Sequence, residues 1–186
     1  STCEYVFPAA NHNRFSHSLG AYHLAGMLIT SLNEVQPNLV SNDDSELIQL
    51  AALLHDIGHP PFSHLLETPE VFATYHSHEH WGRVLLESKD TEIGVALLEV
   101  LGQQRRDRLF AIMDGESEHE GIKIPPFMKE IVSSQLDVDR MDYMVRDQAN
   151  TGAQIGGFDI ARVIRALRVN KDGHFFVKSW GLPAIE

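Results

Sequence analysis

The sequence predicts an all-α helical bundle that ends in a short β-hairpin. Three observations carry this reading. Apolar residues recur at i, i+3, i+4 spacing through most of the first 168 residues. Proline, glycine and acidic clusters interrupt that pattern at intervals suited to helix–helix connections. The tail RVNKDGHFFVKS then changes period, with strand-like residues on either side of Lys171-Asp172-Gly173. We therefore divide the chain into a helical core, 1–168, and the start of a hairpin or C-terminal extension, 169–186. There is no internal repeat and no low-complexity segment.

Each element has a local reason. Residues 1–13 read as a loop entry containing Pro8, with Tyr5, Val6 and Phe7 as an apolar plug. A helix over 15–35 follows, its apolar stripe running through Leu19, Tyr22, Leu24, Met27, Leu28, Ile29 and Leu32. Pro37 and the run SNDDS end it, and Asp43 with Glu46 resembles a capping box for a second helix over 46–57. That helix is apolar almost all round and is therefore central. Pro60-Pro61 imposes an extended step before a helical turn over 62–66, and 71–77 fits no single pattern. Further helices are expected at 79–88, 92–111, 126–134, 137–148 and 158–168, with Met141, Met144 and Val145 on the apolar side of the fourth. The acidic DGESEHEG stretch reads as a surface loop, and Trp81 and Trp180 as packing residues.

Composition bounds the function. The 186 residues suit one domain, and 43% hydrophobic content supports a sizeable core. No apolar run reaches the roughly 18 residues of a membrane span, and no signal-peptide pattern is present. The expected location is the cytoplasm. A net charge of −11, from 26 acids and 15 bases, argues against an extended nucleic-acid or membrane surface. It leaves room for an anionic small substrate, because a cation and a few arginines reverse the sign locally. Cys3 is the only cysteine, so neither an intrachain disulfide nor a thiolate cluster is available. The chain begins at Ser1 rather than Met and reads as a fragment of a longer protein.

Histidine is abundant: eleven residues, six of them between His55 and His80. The stretch LAALLHDIGHPPFSHLLE (50–67) runs as an apolar helix into His55-Asp56. Burying an imidazole and a carboxylate together costs several kcal/mol unless each finds a partner, on the order of 2–7 for a neutral polar group. A divalent metal supplies that partner. Neighbouring helical residues point about 100° apart, so both reach one ion only near a helix end, and Gly58 places such an end there. His17 and Asp139 are the other candidates on apolar faces. His17 lies one turn before Gly20-Ala21, whose small side chains admit a second helix. Two imidazoles and two carboxylates carry −2, which one divalent cation neutralises. Nitrogen and oxygen donors without thiolate suit Mn, Fe, Ni, Co or Mg, and Zn is also compatible with them. Taken singly, His17 also fits a satisfied core histidine and Asp139 a helix N-cap.

The pattern H…HD…D, as His17, His55-Asp56 and Asp139, resembles the HD-domain metal-dependent phosphohydrolases. VFPAANHNRFSHSLG (6–20), LLHDIGHPPFSH (53–64) and QLDVDRMDYMVRD (135–147) resemble its deoxynucleoside triphosphate triphosphohydrolase branch. Two departures are Pro60 and Glu67, where the human member of that branch has glycine and aspartate. The resemblance implies an HD-domain helical bundle with one divalent metal on His17, His55, Asp56 and Asp139. It implies a dNTP substrate, hydrolysed at the α-phosphorus to a deoxynucleoside and inorganic triphosphate, and a homo-oligomer when full length. By the same resemblance Arg14 clamps phosphate, and His59 and His64 line the α-phosphate. His64 is then the general acid, Glu67 orients it, and His78 sits at the phosphates. Tyr143 and Asp147 face the sugar, and Arg140 reaches a phosphate or pairs with Asp137. His76 and His80 are left to solvent or to an outer position. The residues alone leave two other outcomes: hydrolysis of a different nucleotide or phosphoester, or a nucleotide-binding module without catalysis.

Overall fold

A computed structural model describes residues 2–62, 76–152 and 159–184. A 3₁₀ turn over Thr2–Tyr5 precedes seven helices: α1 (Arg14–Val35), α2 (Asn42–Leu54), α3 (His78–Glu87), α4 (Glu92–Asp114), α5 (Phe127–Glu130), α6 (Val138–Thr151) and α7 (Ile160–Ala166). Two antiparallel ribbons, β1 (Glu118–His119) with β2 (Ile122–Lys123) and β3 (Leu167–Val169) with β4 (Phe175–Val177), and a second 3₁₀ turn over Ser179–Ala184 complete the elements of the described residues. Helix α1 lies at the centre, packed against α2, α6 and α7, while α4 covers α2 and α3. Among the described residues no helix is long and apolar enough to cross a membrane.

Helix α1 starts on a reciprocal cap. Asn13 Oδ1 accepts from the Ser16 amide at 2.9 Å, and the Ser16 hydroxyl accepts from the Asn13 amide at 3.3 Å. Its buried face is Ala21, Leu24, Ala25, Leu28 and Leu32, with Ile29 beside them. Leu19, Tyr22 and Met27 belong to the expected stripe but stand at its margin, each about 40–46% exposed. Helix α2 begins four residues earlier than expected. Its cap is Ser41, which accepts from the Asp44 amide at 3.1 Å, and not the Asp43/Glu46 pair. Arg108 of α4 binds the Asp44 carboxylate at 2.7 Å, pinning that start to the bundle.

Helix α4 extends to Asp114 but breaks at Gly102, whose φ of 69° is non-helical. The segment expected as a helix over 126–134 keeps only four helical residues. The Asp137 carboxylate gathers the Ser134 and Arg140 amides, each at 2.7 Å, turning the chain into α6. On α6 Met141 is buried, whereas Val145 faces outward. The acidic loop is not strand-free: Glu120 and Gly121 both have positive φ, a two-residue turn that pairs β1 with β2. The terminal hairpin falls where the period changes, its first strand beginning at Leu167. The Gln36 amide group ties it to α1 by bonding both backbone groups of Val169 at 2.9 Å. Trp81 and Trp180 are about half exposed and contribute little to the core. The core itself is closed by Leu28, Leu32, Leu47, Ile48, Phe110 and Phe127. All of the expected turn over 62–66 but Phe62, most of 71–77, and the start of the 158–168 helix lie outside the described residues.

Candidate metal centre and its cleft

Four side chains from three parts of the chain converge at the meeting of α1, α2 and α6. His17 comes from the second turn of α1, His55 from the residue closing α2, Asp56 from the turn behind it, and Asp139 from the first turn of α6. His17 Nε2 lies 3.0 Å from Asp139 Oδ1 and 3.8 Å from Asp56 Oδ2. His55 Nε2 lies 3.2 Å from Asp56 Oδ1 and 3.6 Å from Asp139 Oδ1. One ligand atom each from His17, His55 and Asp139 fall within 4.8 Å of one another.

Both rings are aimed by their other nitrogen. His55 Nδ1 is 2.8 Å from the Ala52 carbonyl oxygen, which only accepts, so Nδ1 carries the proton and donates. His17 Nδ1 is 2.7 Å from the Asp142 carboxylate and donates likewise. Nε2 of each ring is left facing the cluster. His55 Nε2 is buried and makes no hydrogen bond among the described residues, an orphan that a Lewis acid would satisfy.

The electrostatics point the same way. Burial opposes a charge on His17, but the carboxylates of Asp139 and Asp142 outweigh it and lift its pKa from 6.5 to about 9. His55 is raised in the same manner, against burial, by Asp139 and Asp56. Burial would raise the acids, yet the neighbouring imidazoles hold Asp139 well below the carboxylate range. Asp56 is held at about 2 by His59, His55 and Arg14. Two ionised carboxylates that draw protons onto two buried imidazoles form a site built to stabilise positive charge. With both imidazoles neutral, the set carries −2 and fits a divalent cation.

The cluster floors an open cleft of about 1070 Å³ lined by Arg14, His17, Asp56, His59, Asp139 and Tyr143, among others. Arg14 reaches Asp56 Oδ2 with Nη1 at 2.6 Å while remaining half exposed. Asp147 stands at the rim, its carboxylate 2.9 Å from His12 Nε2. A smaller cavity of about 360 Å³ lies behind the cluster and is lined by His55, Asp56, His59, His78, Asp139 and Arg140. Arg140 opens into that rear cavity, with Nε donating to the Ser134 carbonyl at 3.2 Å and lying 3.7 Å from Asp137.

His59 and His78 stack at 3.8 Å with ring planes 11° apart, and His59 Nε2 is 3.4 Å from Asp56 Oδ1. Asp56, His59 and His78 thus make a second group of potential ligands. In parallel rings, however, the in-plane lone pairs run side by side and do not converge on one ion. That arrangement suits two donors facing phosphate oxygens. The stack forms because α3 approaches the turn after α2 closely: a Cβ on Gly58 would overlap the His78 carbonyl and the Gly82 amide. Gly58 does not adopt a left-handed φ, so its role is this contact and not the helix cap expected of it.

The structure thus brings His17, His55, Asp56 and Asp139 together, with Arg14, His59 and Tyr143 in the cleft, His78 stacked on His59, and Asp147 at the rim. Arg140 faces the rear. His64 and Glu67 lie outside the described residues. His76 and His80 stack on each other at 4.1 Å beside Trp81. Sequence reasoning missed His12, Asp142 and Arg146.

A helical bundle with a His, His-Asp, Asp cluster at the floor of a cleft defines the class, the HD-domain type. The chain belongs to the HD-domain family, whose model matches residues 14–147. It is 34% identical over 181 residues to the Bacillus subtilis protein YwfO, covering 97% of this chain and 39% of that one. It is 37% identical over 190 residues to human deoxynucleoside triphosphate triphosphohydrolase SAMHD1, covering 89% of this chain and 30% of that one. A crystal structure of a phosphohydrolase from Bacteroides thetaiotaomicron superposes with a TM-score of 0.79 at 35% identity, covering 98% of this chain and 41% of the other. The chain therefore spans well under half the length of these relatives.

Proposed function

We propose that the protein hydrolyses deoxynucleoside triphosphates at the α-phosphorus, releasing a deoxynucleoside and inorganic triphosphate. Its metal ligands are His17, His55, Asp56 and Asp139. The observation that carries this reading is the convergence of two Nδ1-anchored imidazoles and two ionised carboxylates on the cleft floor, with an arginine and a histidine pair beside them. The choice of a dNTP is supported by the 37% identity to the human triphosphohydrolase.

A bound divalent cation supplies Lewis acidity toward a phosphoryl oxygen and acidifies water. Arg14, already directed at the cluster and half exposed to the cleft, offers its planar fork to the phosphate. His59 and His78 present ring N–H groups to the oxygens that gain charge as water attacks and the bond to the 5′-oxygen breaks. The leaving sugar oxygen takes a proton from His64, which Glu67 orients. Tyr143 offers its ring to the sugar at the cleft wall. Asp147 accepts from a sugar hydroxyl, held in place by His12. Arg140 meets the far end of the triphosphate.

Incubating the full-length protein with Mn²⁺ and each of the four dNTPs tests the reading. Intact triphosphate and free deoxynucleoside are the expected products. Pyrophosphate or orthophosphate would instead mark a phosphohydrolase with another substrate, and bound nucleotide without turnover would mark a non-catalytic module.

A further inference from the structure

Behind His17 runs a chain of charge-assisted hydrogen bonds outside the proposed ligand set. His17 Nδ1 donates to Asp142 Oδ2 at 2.7 Å. Asp142 is 7% exposed, and the fork of Arg146 grips its carboxylate from the other side, Nε to Oδ2 at 2.7 Å and Nη2 to Oδ1 at 2.8 Å. Asp142 and Arg146 are i, i+4 on α6, so the helix itself sets their register. Helix α1 has no side chain where they meet it: a Cβ on Gly20 would overlap Asp142 Oδ1 and the Arg146 guanidinium.

We infer that Asp142, clamped by Arg146, is the positioning residue that fixes His17 as the Nδ1–H tautomer with Nε2 turned to the metal cluster. This rests on the reading of His17 as a metal ligand. A carboxylate held on both oxygens cannot rotate away, so the plane of the imidazole is fixed before a cation arrives. Carboxylate or carbonyl partners of this kind orient metal-bound imidazoles and raise their basicity. His55 takes its orientation from the Ala52 carbonyl. His17 takes its orientation from a side chain of another helix, Asp142 of α6. An asparagine at 142 with its oxygen in the Oδ2 position would keep His17 Nδ1 and Arg146 Nε, but its amide would face Arg146 Nη2, donor against donor, and loosen the clamp.

The test uses the full-length protein and Co²⁺ as the probe, with affinity read by chelator competition and geometry by the Co²⁺ absorption bands. Asp142→Asn should weaken Co²⁺ binding about 10–100-fold and shift the bands. Arg146→Gln should do so in the same direction by less. In the wild-type Zn²⁺ form, ¹⁵N NMR should show His17 protonated at Nδ1 and coordinated at Nε2, a readout that a merely structural role would not move. Unchanged affinity in Asp142→Asn alongside loss in His55→Ala overturns the positioning role alone. Unchanged affinity in both overturns the metal reading and the positioning role with it. Should Asp142→Asn fail to fold, the wild-type tautomer decides: a proton on Nδ1 supports the role, and one on Nε2 overturns it.

Discussion

His17 Nε2 and Asp139 Oδ1 face each other at 3.0 Å, joining α1 to α6 at the cleft floor. A cation held by both would add a clamp to two helices already joined by the His17–Asp142 hydrogen bond and by the close approach of Gly20 to Asp142 and Arg146. Metal removal should therefore cost stability as well as activity. A ligand present at 100 times its Kd stabilises by about 2.7 kcal/mol, on the order of 5–10 °C in melting temperature for a chain of this size. Melting curves with Mn²⁺ and with EDTA measure this. The gap should close in Asp139→Asn; a gap that survives places the clamp elsewhere.

The pH dependence of the chelated protein has a definite sign. The His17 pKa rises from 6.5 to about 9 on folding. Such a group adds stability that is complete below its unfolded value and is lost as pH rises through the folded one. Stability of the metal-free protein should thus decline between pH 6.5 and about 9. Asp56, lowered from 3.8 to about 2, adds stability that is present above 3.8 and lost as pH falls through 2. Metal uptake runs the other way on the alkaline side, because the cation must displace the His17 Nε2 proton. The difference in melting temperature between Mn²⁺ and EDTA samples should widen across the same window. A constant difference would mean that His17 is not a site of competition.

Much of this was legible in the sequence, and the omissions have physical reasons. Leu24, Leu28, Ile29 and Leu32 announce the buried face of α1 by spacing, and His55-Asp56 announces the cluster by its poor fit to an apolar helix. On α6 the run DVDRMDYMVRD presents four acids, and hydrophobicity does not say which face inward. The geometric signal was there: Asp142 is i+3 from Asp139 and Arg146 is i+4 from Asp142, so all three share a face. His12 sits in the loop before α1, where no period places a side chain, and only the fold brings it 2.9 Å from Asp147. Gly58 looked like a helix cap because glycine usually ends helices by adopting positive φ. Its use as a contact point depends on α3, which is distant in sequence.

That contact yields a prediction. Gly58→Ala places a methyl group against the His78 carbonyl and the Gly82 amide, both rigid backbone groups. Overpacking of this kind costs about 1–3 kcal/mol. Helix α3 must retreat, carrying His78 off His59, so turnover should fall further than metal affinity. Urea unfolding and steady-state kinetics test it; a variant as stable and active as wild type would exclude the close approach.

Arg14 separates a phosphate ligand from a surface ion pair. Its Nη1 lies 2.6 Å from Asp56 Oδ2 while the side chain stays half exposed, so the pair adds little stability by itself. If the guanidinium serves only that pair, Arg14→Lys retains the charge and changes little. If it serves the phosphate, lysine loses the planar two-point grip. The substitution should then lower kcat/KM by about 10²–10³, the usual loss for one donor to a developing oxyanion. Metal stoichiometry should be unaltered, because Arg14 brings no ligand atom to the cation. Comparing kcat/KM with bound metal in the same preparation settles the matter: activity and metal lost together would return Arg14 to a structural role, whereas activity lost alone assigns it to the substrate.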